Sequence, residues 1–130
     1  MHRILEKINP SFDFEILTAF QKDSLEITEA DRSHLVKMIE QSDAKKFVIT
    51  HGTDTMIETA QFIFSKIKNK TIVLTGAMRP ERFTNSDAAA NVGGAIIASQ
   101  TLERGVYVLM NGIAKSWEKI RRDLGDGKFL

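Results

Sequence analysis

Apolar positions along the chain fall into short blocks, and the spacing inside each block predicts its element. Ile4, Leu5 and Ile8 share one face of a short helix over residues 1–8, stopped by Asn9-Pro10. From Phe12 to Phe20 the period changes. Phe12, Phe14 and Ile16 alternate with Asp13 and Glu15, which predicts a strand. A polar loop, 21-QKDSLEIT-28, follows. Thr28 with Asp31 makes a short-acid version of a capping box, and the helix it opens carries Leu35, Val36, Met38 and Ile39 on its apolar face. Phe47–Ile49 is too short and too apolar for a surface helix, so it predicts a buried strand. Thr55 and Glu58 read as a T-x-x-E capping box. The helix behind it, from Met56, presents Ile57, Ala60, Phe64 and Ile67 as its core stripe. Thr71–Thr75 (TIVLT) predicts a second buried strand, followed by the long polar loop 76-GAMRPERFTNSD-87. The Ala- and Gly-rich segment 86–101 predicts a helix packed close to its neighbour. Val106–Met110 is the last predicted strand, and Asn111-Gly112 a turn. The remainder to Leu130 reads as a charged segment anchored by Trp117 and Phe129.

Four strands alternating with helices predict an α/β fold with a parallel sheet, in one domain over residues 1–130. In such sheets ligands bind at the carboxyl ends of the strands. The segments leaving those ends hold Lys22, Asp23 and Ser24; Thr50 to Thr55; Thr75, Gly76 and Arg79; and Asn111. Hydroxyls and carboxylates should therefore converge on one crevice.

Composition narrows the partners. Hydrophobic residues make up 42% of the chain, enough for a real core. Lys and Arg number 18 against 17 Asp and Glu, a net charge of +1 that gives no pull towards nucleic acid or a membrane surface. Absence of cysteine excludes disulfides and thiolate metal sites. Neither a metal nor a cofactor is expected. No apolar run approaches the ~18 residues of a membrane span. Charges interrupt MHRILEKINP, unlike a signal peptide, so a cytoplasmic location is the default.

The cluster 51-HGTDT-55 has two readings. Thr and Asp at a helix start are commonly caps, and Thr55 alone would serve. Alternatively Gly52 allows a tight turn, and Thr53 and Asp54 sit where free helix N–H groups favour an anionic ligand. A hydroxyl beside a carboxylate is half of a nucleophile system, since it still needs a base. His51 reads as a structural histidine, or as that base or a metal ligand. Arg79-Pro80 reads as an anion grip or as solvated loop, and Lys22-Asp23 as a surface ion pair.

HGTDTMIETA, with LTGAMRP about twenty residues on and KDSLEIT before it, resembles the asparaginase family. The likeness runs from about Phe14 to Gly112, and weakly to Phe129. The ending, with WEKIRRD and GKF, is similar to short members made of the amino-terminal domain alone. The resemblance implies a Rossmann-like three-layer sandwich with a mostly parallel sheet, and hydrolysis of the side-chain amide of L-asparagine to aspartate and ammonia. It implies that Ser24 holds the substrate α-carboxylate, with Asp23 beside it. Thr53 matches the second catalytic threonine. Asp54 matches the acid that holds the α-amino group and joins the threonine's proton relay.

Three departures accompany it. The family opens with a strand and a T-G-G-T-I motif whose first threonine is the primary nucleophile, and no such motif occurs in these 130 residues. That strand, its loop and linker amount to roughly 30 residues. It is internal in the family's sheet, so a break in the middle of the sheet is expected. Arg122 stands near the relay lysine's place, and arginine cannot accept a proton as lysine can. The family's second domain, which completes a neighbouring subunit's site, has no counterpart within these 130 residues. The expectation is a domain with little or no asparaginase activity as this chain, or a non-catalytic module for asparagine or aspartate, or a fragment of a longer enzyme. An open sheet edge predicts self-association.

Overall fold

The structure, a computed structural model, describes residues 2–79 and 85–130. Its sheet has four strands in the order β1 (Lys46–Thr50), β2 (Thr71–Thr75), β3 (Gly105–Met110) and β4 (Ile113–Ser116). The first three are parallel, with Val48 opposite Val73 and Ile72 opposite Val106. β4 returns antiparallel to β3, with Met110 opposite Ile113. β2, flanked on both sides and covered on both faces, is buried along its whole length. β1 is the outer strand and only half-buried at Phe47, Val48 and Ile49, which corrects the expectation of a buried strand there.

Side-chain alternation divides the core between two faces. Ile72, Leu74, Val106, Val108 and Met110 pack beneath α2 (Glu29–Gln41) and α3 (Met56–Lys66). Val73, Tyr107 and Leu109 meet Ala95 and Ala98 of α4 (Ala88–Thr101) on the other face. The result is the expected three-layer α/β sandwich. It carries one topological exception. β1 to β2 and β2 to β3 step in the same direction across the sheet, yet their connecting helices lie on opposite faces. One of the two crossovers must therefore be left-handed, against the strong general preference.

Most helix boundaries follow from local chemistry. α1 (His2–Ile8) buries Ile4 and Leu5 against Val92 and Ile96 of α4 and ends at Asn9, whose φ is 50°. α2 has the capping box: Thr28 Oγ1 accepts from the Asp31 N–H at 3.1 Å, and Asp31 Oδ2 accepts from the Thr28 N–H at 2.9 Å. On α3 the buried residues are Met56, Thr59, Ala60 and Ile63, with Ile67 at the C-cap. Ile57 and Phe64 lie at the margin, so the stripe is rotated from the one read in the sequence; Phe64 turns to Trp117, 5.3 Å between ring centroids. α4 packs as closely as its composition predicts: a methyl on Gly94 would lie 3.2 Å from Leu109 Cδ1.

Two elements differ from expectation. Residues 12–20 form no strand. Ile16 packs with the α4 side of the sheet, and Ala19 and Phe20 with the α3 side, so the segment passes from one face to the other without backbone pairing. A strand needs a neighbour, and none of the described strands pairs with it. The described sheet is continuous and simply ends at β1, so it has a trimmed edge there and not the break in its middle that was expected. Conversely, the segment after Met110 is not merely a charged tail. Asn111 and Gly112, at φ 52° and 76°, make a tight turn of the kind that favours hairpins, and β4 follows at once.

Candidate functional site

β1 delivers its last residues to the carboxyl edge of the sheet. The ladder runs one residue past the strand, with the His51 N–H donating to the Thr75 carbonyl at 2.9 Å. There the two strand ends approach so closely that any β-carbon on Gly76 would collide with the His51 carbonyl. Gly52 is under the same restriction from the other side. A β-carbon on it would lie 2.8 Å from Ser24 Cβ and 2.9 Å from Ser24 Oγ.

That contact brings the two halves of the predicted site together. Ser24, only 4% exposed, opens a short 3-10 turn (Ser24–Glu26) packed on the HGTDT loop. Thr55 completes the junction: its hydroxyl donates to the Ser24 carbonyl at 2.8 Å. Thr55 is thus the residue before α3 but makes no side-chain cap, which corrects the T-x-x-E reading. Thr53 is half-buried, and its hydroxyl has no hydrogen-bond partner among the described residues. Asp54 has its side chain 57% exposed. Asp23 lies exposed beside Ser24. It is not paired with Lys22, as the sequence suggested; Lys22 Nζ reaches Asp31 Oδ2 at 2.8 Å. That lysine, together with the Thr28 N–H, lowers the Asp31 carboxyl to about 2.

Arg122 reaches the site from the far end of the chain. One guanidinium nitrogen, Nη1, lies 3.5 Å from Asp54 Oδ1. Its Nε donates to the Gly127 carbonyl at 3.0 Å, and the guanidinium lies 5.1 Å from the centre of the Phe129 ring. Phe129 is buried, and its N–H donates to Asn111 Oδ1 at 2.8 Å. The turn after β3 therefore holds the carboxyl-terminal hairpin, and the hairpin holds Arg122 against Asp54.

Behind the loop stands His51, buried. Its Nδ1 lies 2.6 Å from the Gly52 carbonyl and its Nε2 2.8 Å from Thr59 Oγ1. A carbonyl can only accept, so Nδ1 carries the proton. Thr59 Oγ1 accepts from Arg32 Nε at 2.8 Å and has its own proton to give to Nε2. Burial above all pushes the His51 pKa below its ordinary value; Arg32 adds to this, while the Gly52 carbonyl and Glu58 oppose it. His51 is thus a neutral, doubly bonded group, and of its two readings the structural one fits.

The TGAMRP loop is held from α4. Asp87 accepts from the N–H groups of Met78 and Arg79, both at 3.0 Å, and Asn91 Nδ2 donates to the Gly76 carbonyl at 2.7 Å. Burial pushes the Asp87 carboxyl up, but the hydrogen bonds from Arg79, Met78, its own N–H and Asn91 outweigh it and lower the pKa. Thr75, expected in the crevice, turns inward to the Leu109 carbonyl at 2.7 Å. Arg79 is exposed, and Pro80 lies outside the described residues.

Sequence reasoning missed Thr59, Asp87 and Asn91. A polar side chain at a core position of a helix was the available signal for Thr59 and Asn91. An open hollow of about 510 Å³ lies far from this chemistry, lined by Lys45, Lys66 and Lys70 among others. The Lys70 ammonium is engaged there by the Ile39 and Ser42 carbonyls, each at 2.6 Å. Among the described residues there is no group of His, Asp and Glu that could hold a metal ion, and no helix long and apolar enough to cross a membrane.

The structure is thus an α/β domain whose mostly parallel sheet carries hydroxyls, a carboxylate and a guanidinium at its carboxyl edge, where ligands of such sheets generally bind. The family described as Asparaginase, N-terminal matches residues 2–122, and the chain belongs to that family. Glutaminase-asparaginase of Acinetobacter glutaminasificans is 32% identical over 117 residues, covering 84% of this chain and 35% of the relative. L-asparaginase 2 of Escherichia coli strain K12 is 45% identical over 69 residues, covering 50% of this chain and 20% of the relative. Among solved structures, the probable cytoplasmic L-asparaginase of Campylobacter jejuni superposes with a TM-score of 0.87 at 28% identity, covering 98% of this chain and 43% of that one. The chain thus spans well under half the length of these relatives.

Proposed function

We propose that the crevice holds a small zwitterionic amino acid, L-asparagine or its hydrolysis product L-aspartate, as the asparagine-holding half of an amidohydrolase site. The observation that carries this is the packing of Ser24 directly on the loop bearing Thr53 and Asp54, with a guanidinium 3.5 Å from Asp54. Asp54, open to solvent, takes the α-ammonium group. Ser24, with Asp23 beside it, lies at the α-carboxylate end, and the hydroxyl of Thr53 faces the side-chain amide. The first amides of α3, left without a side-chain cap, add donors for an anionic group.

Turnover needs more than this. Amide hydrolysis by a hydroxyl requires a base to take its proton. His51 is committed on both ring nitrogens, and position 122 holds an arginine, a residue type unsuited to accepting a proton. The T-G-G-T-I motif is absent from these 130 residues. We therefore propose that this chain alone binds but hydrolyses little or nothing. Ammonia release from L-asparagine by the purified chain tests it. Rates on the order of 1–1000 per second would refute the second half of the proposal. Calorimetry tests the first half: a folded sample giving no heat with millimolar asparagine or aspartate overturns it.

The non-catalytic reading, an amino-acid-binding module, is favoured by one specific feature, the arginine where a relay needs an amine. A cytoplasmic location accords with the Campylobacter jejuni relative, although one relative, of Haemophilus influenzae, is described as periplasmic. Association of copies through the open side of β1 belongs to the same proposal, and the near-neutral charge supports no role with nucleic acid.

A further inference from the structure

The loop that carries Thr53 and Asp54 is held by a chain of three side chains that none of the proposed ligand contacts uses. Arg32 Nε donates to Thr59 Oγ1, the Thr59 hydroxyl donates to His51 Nε2, and His51 Nδ1 donates to the Gly52 carbonyl, at 2.8, 2.8 and 2.6 Å. Thr59 is fully buried and His51 nearly so, which shields the central bond from water, while the two outer bonds are part-buried.

The last link matters most. The Gly52 carbonyl and the Thr53 N–H belong to one planar peptide unit. Fixing the carbonyl fixes the direction of that N–H and the starting point of the Thr53 side chain. The α-carbon of the same glycine abuts Ser24. Gly52 is therefore gripped at one end by the half of the site that carries Ser24, and at the other by His51. The first link closes the circuit, because Arg32 stands in the first turns of α2, a few residues after the Ser24–Glu26 turn.

We propose that His51, with Thr59 and Arg32, is a positioning residue that sets the spacing between Ser24 and the Thr53–Asp54 pair. This rests on the reading of the crevice as an amino-acid site, but the geometry of the loop can be measured without a ligand. The ring acts through the backbone of Gly52 and touches no proposed substrate atom. Nothing in the arrangement asks it to exchange a proton.

The test compares Thr59→Val, which keeps the shape and removes the hydroxyl, with Thr59→Ser, which keeps the hydroxyl. Nitrogen-15 spectra of the unliganded 130-residue chain should show the His51 ring protonated on Nδ1 near neutral pH. In Thr59→Val the amide resonances of Thr53 and Asp54 should move, and Thr59→Ser should restore them. Calorimetry with L-asparagine and L-aspartate should show about tenfold weaker binding or worse in Thr59→Val, and near-native binding in Thr59→Ser. Unmoved Thr53 and Asp54 resonances in a folded Thr59→Val, or a ring protonated on Nε2, overturn the proposal. If Thr59→Val does not fold, Arg32→Gln decides in its place: the Thr53 amide should move, and an unmoved one refutes the positioning role. If the native chain binds neither amino acid, the functional reading falls, while the resonances still decide the positioning one.

Discussion

Asp31 shows how one side chain serves two partners and what that does to stability. Its carboxylate closes the α2 capping box and receives the Lys22 ammonium, which holds its pKa at about 2 against an ordinary 3.8. A carboxyl depressed on folding stabilises the native state above its unfolded value and loses that contribution as pH falls through its folded one. Between pH values of roughly 4 and 2, the native chain should lose stability more steeply than Asp31→Asn does. Denaturant midpoints measured across that window check it, and parallel profiles for the two proteins would rule it out. Arg122 asks for a different measurement. Its ion pair with Asp54 is half in solvent, so in Arg122→Gln the lost pair itself should cost under about 1 kcal/mol. Loss of its bond to Gly127 and its place over Phe129 should instead loosen the carboxyl-terminal hairpin, read as faster amide exchange at Phe129. Both residues were visible in the sequence, one as a cap and one as a relay position. What the sequence could not reveal was the partner. Lys22 lies nine residues from Asp31, and Asp54 lies 68 from Arg122, so neither pairing follows from local spacing.

Helix α3 shows the limit of periodicity as a guide to packing. Ile57, Ala60, Phe64 and Ile67 fit a helical stripe, but so does the buried set of Met56, Thr59, Ala60 and Ile63. The second set contains a threonine, which hydrophobicity alone discards. Only the hydrogen bonds of Thr59 to Arg32 and His51 make that position an acceptable core site. The two stripes predict different mutational costs. Ile63→Ala should destabilise by about 2–5 kcal/mol, as a fully enclosed aliphatic residue does, and Ile57→Ala by clearly less. Equal costs in a chemical-denaturation series would mean that the helix is rotated. The ends of β1 and β2 make a comparable claim on a single atom. Gly76→Ala places its methyl against the His51 carbonyl, so the strand ends must separate. Strain of about 1–3 kcal/mol is expected, together with movement of the HGTDT loop.

Across the whole molecule the sequence resolved three parallel strands, the helices between them and the meeting of the Ser24 turn with the HGTDT loop at the carboxyl edge. It misjudged residues 12–20 and β4 for one shared reason: a strand is defined by its neighbour. The alternation of Phe12, Phe14 and Ile16 is real, but the segment finds no partner, while β4 pairs because the Asn111-Gly112 turn folds it onto β3. The same principle makes the outer edge of β1 measurable. Lys45 accepts from Thr71, and His51 donates to Thr75. In a parallel ladder, odd-numbered residues from 45 to 51 then face β2, and the N–H groups of Lys46, Val48 and Thr50 point outward. Those three have no acceptor among the described residues. In dilute solution the amides of Val48 and Thr50 should exchange rapidly with solvent, while those of Ile49 and His51 exchange slowly. If copies associate through this edge, protection at Val48 and Thr50 should rise with protein concentration, in step with mass by light scattering. Slow exchange at Val48 in a sample that stays monomeric would show the edge already covered within one chain, and would place residues 12–20 on it as a strand after all.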